Sequence, residues 1–388
     1  MSIYITNVHI TPITSEEYKG SVLVRDGKIV ACFKENEQQI EAFKEAYRTH
    51  LNEGEGVRII DGEGKYLFPG FIDAHTHLGL YDEGTGWAGN DANETTSPLT
   101  PHIQALDSVY PLDKGFEEAR SAGVTTVQVL PGSANVIGGM TSVIKTSGKN
   151  VKNMIVRHPA ALKMALGENP KKNHSGNKAI TRMGVAGMIR EAFFNATNEE
   201  RNFYNQAIHE ASERKIPVRI HAHRADDIQT AIRLADEFNL DLRIEHCTEG
   251  HLIPEELEGR DLQVTVGPTM TRRSKLELRN KSWSVYRSLV DAGVEVSITT
   301  DHPYTPVQYL NVCAALTVRE GLTVDEALKG ITINPARNLG VDERVGSIEV
   351  GKDADLVLWD EHPFQYTAKP IWTMVNGEIV HQNKLGVE

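Results

Sequence analysis

The sequence predicts an α/β protein: a (β/α)8 barrel over residues 68–338, with a small β-sandwich domain built from both termini, residues 1–67 and 339–388. Three observations predict it. Apolar runs alternate with amphipathic stretches through the middle of the chain, and both ends are rich in strand signals. His and Asp side chains follow several of the apolar runs directly, at the strand ends where barrel sites form. A doubly wound open sheet, which needs fewer strands, is the alternative.

At the N-terminal end, Ile3-Tyr4-Ile5, Ser21–Val24, Lys28–Val30 and Arg58–Ile60 read as short strands, with an amphipathic helix over Glu37–Leu51 carrying Ile40, Phe43 and Tyr47 on one side. Ser347–Glu349, Ala354–Trp359, Ile371–Val375 and Glu378–Val380 give the C-terminal end the same texture, and Asn376-Gly377 is a hairpin signal. Neither end has enough strands to close a sandwich alone, so the two are expected to pair. In the middle, strands are predicted at Phe71–Ile72 onward, Val124–Leu130, Met140–Thr146, Ala161–Leu166, Pro217–His221, Leu242–His246, Gln263–Val266 and Val296–Asp301. Helices are expected at Asp113–Ala122, Arg182–Lys215 with a break at Asn195–Asn198, Asp226–Phe238 and Trp283–Ala292, and a long loop over Leu80–Ser97.

The bulk composition narrows the function. With 388 residues, 40% of them hydrophobic, the chain can bury a large core. A formal net charge of -12 argues against a nucleic-acid partner or an anionic membrane surface and leaves a small-molecule substrate, with a homo-oligomer left open. Cys32, Cys247 and Cys313 are too scattered for a disulfide framework or a Cys-type zinc site, which points to a reducing cytoplasm. No signal peptide is expected from the opening Met1-Ser2-Ile3-Tyr4, and no apolar run approaches the roughly 18 residues of a membrane span.

Phe71-Ile72-Asp73-Ala74-His75-Thr76-His77 is the stretch the chemistry turns on. Side chains at i and i+2 of a strand share a face, so His75 and His77 point together, and paired imidazoles make half a metal site. One His-x-His is as readily a structural pair. His221 and His223, His246 and Asp301 change the balance, because each also ends an apolar run. Four strands ending this way favour one or two first-row divalent ions, zinc foremost.

Several motifs carry a family resemblance. Phe68-Pro69-Gly70-Phe71-Ile72-Asp73-Ala74-His75-Thr76-His77, Ala122–Val127, Ile244-Glu245-His246-Cys247, Thr300-Asp301-His302-Pro303, Thr332–Arg337 and Gly346–Leu356 resemble, in the same order, the metal-dependent amidohydrolase superfamily, closest to its imidazolonepropionase-like and amino-acyl dipeptidase-like branches. The resemblance implies a barrel flanked by a β-sandwich. It implies that His75, His77 and Asp301 bind one metal, that His221 and His246 bind a second, and that Asp301 doubles as general base. It also implies a fourth-strand bridging group, Lys163 as a carboxylated lysine, with Glu168 the rival; His223 is left as a neighbour, alternative ligand or substrate contact.

The reaction expected of such a site is metal-assisted hydrolysis of a C–N bond, amide or cyclic amide. Relatives that deaminate or open imidazolone rings usually carry an acid two or three residues after the fifth-strand histidine. Here the run is His221-Ala222-His223-Arg224, which weakens that alternative. Arg224, Arg272 and Arg273 are candidates to bind a substrate carboxylate. A non-catalytic binding protein on the same fold is the remaining alternative, although every expected ligand position is filled. Gly84-Thr85-Gly86-Trp87-Ala88-Gly89 matches Gly-x-Gly-x-x-Gly without the strand and helix a dinucleotide site needs, so a loop over the barrel mouth is expected instead.

Overall fold

A computed structural model describes residues 2–35, 57–82, 86–176 and 181–383. The helix expected at Glu37–Leu51 lies outside the described residues.

The two ends of the chain build one seven-stranded sheet, in the order Glu378–Gln382, Pro370–Val375, Leu356–Trp359, Val57–Pro69, Ser2–Ile10, Tyr18–Arg25, Lys28–Lys34. They join where Leu356–Trp359 runs antiparallel to Val57–Pro69, with Leu356 opposite Pro69. Alternating apolar residues bury one set of side chains, among them Ile5, Val22, Leu67, Leu356 and Met374. Asn376 and Gly377 both adopt positive φ (49° and 79°), as a two-residue hairpin turn requires, and Val375 pairs with Glu378 across it. Ser347–Glu349 is not a strand. Gly346 and Gly351 on either side of it have φ of 94° and 95°, so the chain curls there, and Lys352 Nζ donates to Ser347 Oγ.

In the middle, six strands run in the order Glu295–Ile298, Gln263–Val266, Leu242–His246, Val218–Ala222, Leu162–Ala165, Ile137–Met140, the first five mutually parallel. A four-stranded sheet holds Phe71–Thr76, Val124–Val129, Ser142–Lys145 and Ile155–Arg157. The sheets meet on one side through His77 N–H to His302 O (2.9 Å) and Thr299 Oγ1 to His75 O (2.7 Å), and on the other through Thr141 and Ala161 (2.9 Å). Parallel strands of a covered sheet are buried on both faces, and every residue of Val218–Ala222 and Val124–Val129 is buried, Arg219, Thr126 and Gln128 included.

Helices alternate with these strands. Lys114–Ser121 starts at Asp113, whose side chain accepts from Gly115 N–H, and Ala225–Phe238 ends at Asn239 in the left-handed region. Arg182–Asn198 runs through the break expected at Asn195–Asn198 and is separated from Gln206–Ser212 by residues 199–205. Asn198 stays helical with its amide donating back to Phe194 O; Asn202 makes the turn instead, its side chain accepting from Tyr204 and Asn205 N–H. The antiparallel strands Ile137–Met140 and Ile155–Arg157 are additions to the expected set, the first masked by two glycines and the second only three residues long. Among the described residues no helix is long and apolar enough to cross a membrane.

Candidate metal centre

The parallel strands deliver two clusters of buried side chains to one end of the sheets. His75, His77 and Asp301 form the first, and His221, His223 and His246 the second; within each, the potential ligand atoms lie within 4.8 Å of one another. Both line a cavity of about 820 Å³, together with Lys163, Arg272, Lys281 and Trp87.

His75 and His77 share a face because they sit two apart at the end of Phe71–Thr76. Glu245 and His246 are adjacent on Leu242–His246, and regular alternation would send them to opposite faces. The backbone of His246 and Cys247 turns left-handed (φ 74° and 44°) and breaks that alternation. Glu245 therefore reaches His75 Nδ1 at 2.6 Å while the His246 ring packs 4.6 Å from that of His75. Asp301 is likewise left-handed, at φ 53°. Asp73 holds this corner together: its carboxylate accepts from Thr300 N–H, from the hydroxyls of Thr299 and Thr300, and from His75 N–H.

The hydrogen bonds assign the ring nitrogens. A carbonyl only accepts, so His77 donates its Nδ1–H to Leu130 O (2.8 Å) and His246 donates its own to Gly267 O (2.7 Å). His75 donates Nδ1–H to Glu245, which is gripped from its other oxygen by Arg219. Each Nε2 then carries a lone pair toward the cavity. Asp301 Oδ1 lies 3.4 Å from Nε2 of both His75 and His77 and has no hydrogen-bond partner. Two ligands of a tetrahedral ion with bonds of about 2.0–2.1 Å are separated by about 3.3 Å. The donor set and its spacing fit a divalent cation.

Charge is distributed to match. Burial alone would push the His75 imidazole down, but Glu245 and Asp301 reverse this and hold it above its ordinary range. Burial lowers His77, and takes His246 down to about 3, so both are neutral ligands at pH 7. Burial opposes ionisation of Asp301, yet the His75 and His77 imidazoles beside it hold it well below the usual carboxylate range. Lys163 is fully buried on Leu162–Ala165, its Nζ donating to Pro131 O at 3.1 Å, and burial lowers it to about 8.

Three candidate residues lie elsewhere. Arg224 precedes the helix Ala225–Phe238 and pairs bidentately with Asp226 (2.9 Å), away from the cavity, because a neighbouring carboxylate at the helix start takes its guanidinium. Glu168 opens the helix Glu168–Asn173, and its N–H donates to Glu277; its carboxylate faces Glu277 N–H rather than the clusters. Arg272 does line the cavity, whereas Arg273 donates to Lys281 O. Of the glycine-rich loop, Gly86–Gly89 is a short 3-10 turn that presents Trp87, 92% exposed, to the cavity mouth. Sequence reasoning missed Arg219 and Glu277. The signal for Arg219 was a charged residue inside the apolar run Pro217–His221; Glu277, on the short turn Leu276–Leu278, gave none.

Residues 66–380 match the model of the amidohydrolase family, and the chain belongs to that family. It is a hydrolytic enzyme acting on carbon–nitrogen bonds, in a family generally dependent on divalent metals, and the two clusters are the groups available to hold them. The chain is 41% identical to an amidohydrolase from Thermotoga maritima whose crystal structure superposes with a TM-score of 0.91 over 98% of this chain and 100% of that one. It is 30% identical to the amidohydrolase tasK of Hapsidospora irregularis over 83% of this chain, but spans only 37% of that protein's length. An imidazolonepropionase from Mesorhizobium japonicum is 26% identical over 88% of this chain and 86% of its own.

Proposed function

We propose that the protein is a metal-dependent amidohydrolase that cleaves an amide or cyclic-amide C–N bond of a small, carboxylate-bearing substrate. The catalytic unit is a (β/α)8 barrel over residues 68–338, flanked by a β-sandwich from residues 1–67 and 339–388. The observation that carries the reading is Asp301 Oδ1, without a hydrogen-bond partner and 3.4 Å from both His75 and His77.

His75, His77 and Asp301 would hold one ion, and His221, His246 and Lys163 are available for a second. A bound divalent ion, zinc foremost, lowers the pKa of water from about 15.7 to about 7 and so supplies a nucleophile at neutral pH. Asp301, ionised and buried, takes the proton from the attacking water and passes it to the leaving nitrogen. Glu245 and Arg219 fix the His75 ring so that its Nε2 faces the cavity. Lys163, already brought toward its neutral form by burial, is suited to carboxylation, since only a neutral amine adds carbon dioxide. Arg272, which lines the cavity, would take the substrate carboxylate.

Opening of an imidazolone ring is the second reading. Glu277 Oε1 lies 3.7 Å from His221 Nε2 and supplies, from another segment, the acid that is missing after His221 in the sequence.

The test is to strip the protein with a chelator, reload it with zinc or manganese, and assay dipeptides, N-acyl amino acids and cyclic amides. Activity should vanish on stripping, return with metal, and fall at least tenfold on carboxamide versions of the best substrate. Full hydrolysis by the stripped protein would end the metal-dependent reading; ring opening of a heterocycle with neither ammonia nor a new free amine released would favour the imidazolone. Glu245→Gln should weaken zinc affinity by about 10–100-fold, as for other carboxylates behind a metal-bound histidine. Competition with a chromogenic chelator reads this directly, and unchanged affinity would remove Glu245 from the role.

A further inference from the structure

We infer that the second cluster is a metal site complete in itself, with His221, His223 and His246 all ligands, so that a second ion is held without Lys163. This rests on the metal-dependent reading above, and concerns which side chains hold the second ion.

The geometry of His223 is that of a ligand rather than a neighbour. His221 and His223 occupy one face at the end of Val218–Ala222, and the candidate ligand atoms of both lie within 4.8 Å of those of His246. The Nδ1 atoms of His223 and His246 are engaged by Thr248 Oγ1 and Gly267 O, each at 2.7 Å, which leaves Nε2 of both rings available. His221 is the sharper case. It is 3% exposed, yet neither of its ring nitrogens has a hydrogen-bond partner. An imidazole buried in that state is destabilising unless something else binds it. A cation among the three rings satisfies all of them at once.

A carboxylate, shared with a lysine, stands beside two of the three rings. Three neutral imidazoles leave a divalent ion uncompensated. The buried Glu277 carboxylate stands 3.7 Å from His221 Nε2 and 3.8 Å from His223 Nε2, close to the edge length of a single coordination sphere. Lys275 pairs with the same oxygen at 2.6 Å. Lys163, by contrast, has its Nζ donating to Pro131 O and would have to lose a proton or be carboxylated before it could ligate.

The test counts ions on the full chain. Apoprotein is dialysed against zinc alone, and bound metal is measured by plasma mass spectrometry for the wild type, His223→Gln and Lys163→Met. The wild type should hold about two ions per chain, His223→Gln about one, and Lys163→Met about two. Two ions on His223→Gln together with one on Lys163→Met would overturn the inference. His223→Cys loaded with cobalt guards against a folding artefact: a cobalt–thiolate charge-transfer band should appear, and its absence from a fully loaded protein would also overturn it. No metal on the wild type would instead defeat the metal-dependent reading as a whole.

Discussion

Asp301→Asn should lower kcat by about 10²–10⁴-fold while substrate still binds. Asparagine keeps the shape and a neutral acceptor oxygen, so the left-handed backbone at φ 53° and the approach to His75 and His77 can survive. What it loses is the ability to take a proton. In the native protein the His75 and His77 imidazoles offset burial and hold the carboxylate well below its ordinary range, which suits Asp301 to the proposed role of base. Neither His77 nor His246 can replace it as a relay, since each Nδ1–H is committed to a carbonyl. The measurement is kcat and KM on the best substrate from the screen, with bound metal determined on the same sample. Turnover near the wild-type value with metal retained would refute the role.

Much of this site was legible because its residues end apolar runs. His75 and His77, His221 and His223, His246 and Asp301 all follow strands that the periodicity marks, and the structure brings them into two clusters at one cavity. The choice between His221 and His223 was not legible, since two residues on one strand face are equivalent until their surroundings are known. Glu245 was hidden for the opposite reason. Strand alternation argues that it cannot share a face with His246, and only the positive φ at His246 and Cys247 removes the objection. Arg224 misled because a basic residue near a strand end looks like a substrate contact, while Asp226, two residues on, is the partner it takes. Of the fold, the pairing of the two termini was legible from strand count, and the short glycine-containing strand Ile137–Met140 was not.

The tie between the terminal sheet and the middle of the chain should fail most visibly at Lys145. This lysine ends Ser142–Lys145, is 1% exposed, and stands 3.0 Å from Asp353 and 2.6 Å from Asp355, which lie just before the strand Leu356–Trp359. Asp353 also binds Lys28 and Arg344, and Asp355 accepts from Asn376 N–H, so this one cluster joins the N-terminal, middle and C-terminal parts. Removing one partner of a buried ion pair leaves the other charged and desolvated, at a cost of about 3–5 kcal/mol. Lys145→Met should therefore lower the urea midpoint sharply. The double variant Lys145→Met with Asp355→Asn should recover part of the loss, because a neutral amide needs no counter-ion. Burial opposes ionisation of Asp353, but Lys145 and Lys28 pull its pKa below the ordinary 3.8. Its contribution is then fully present above the unfolded value and is lost as pH falls through the lower folded one. Lys145→Met should narrow that window, bringing acid unfolding to a higher pH than in the wild type. An unchanged urea midpoint in Lys145→Met, or a double variant weaker than the single, would show that packing alone holds the terminal sheet in place.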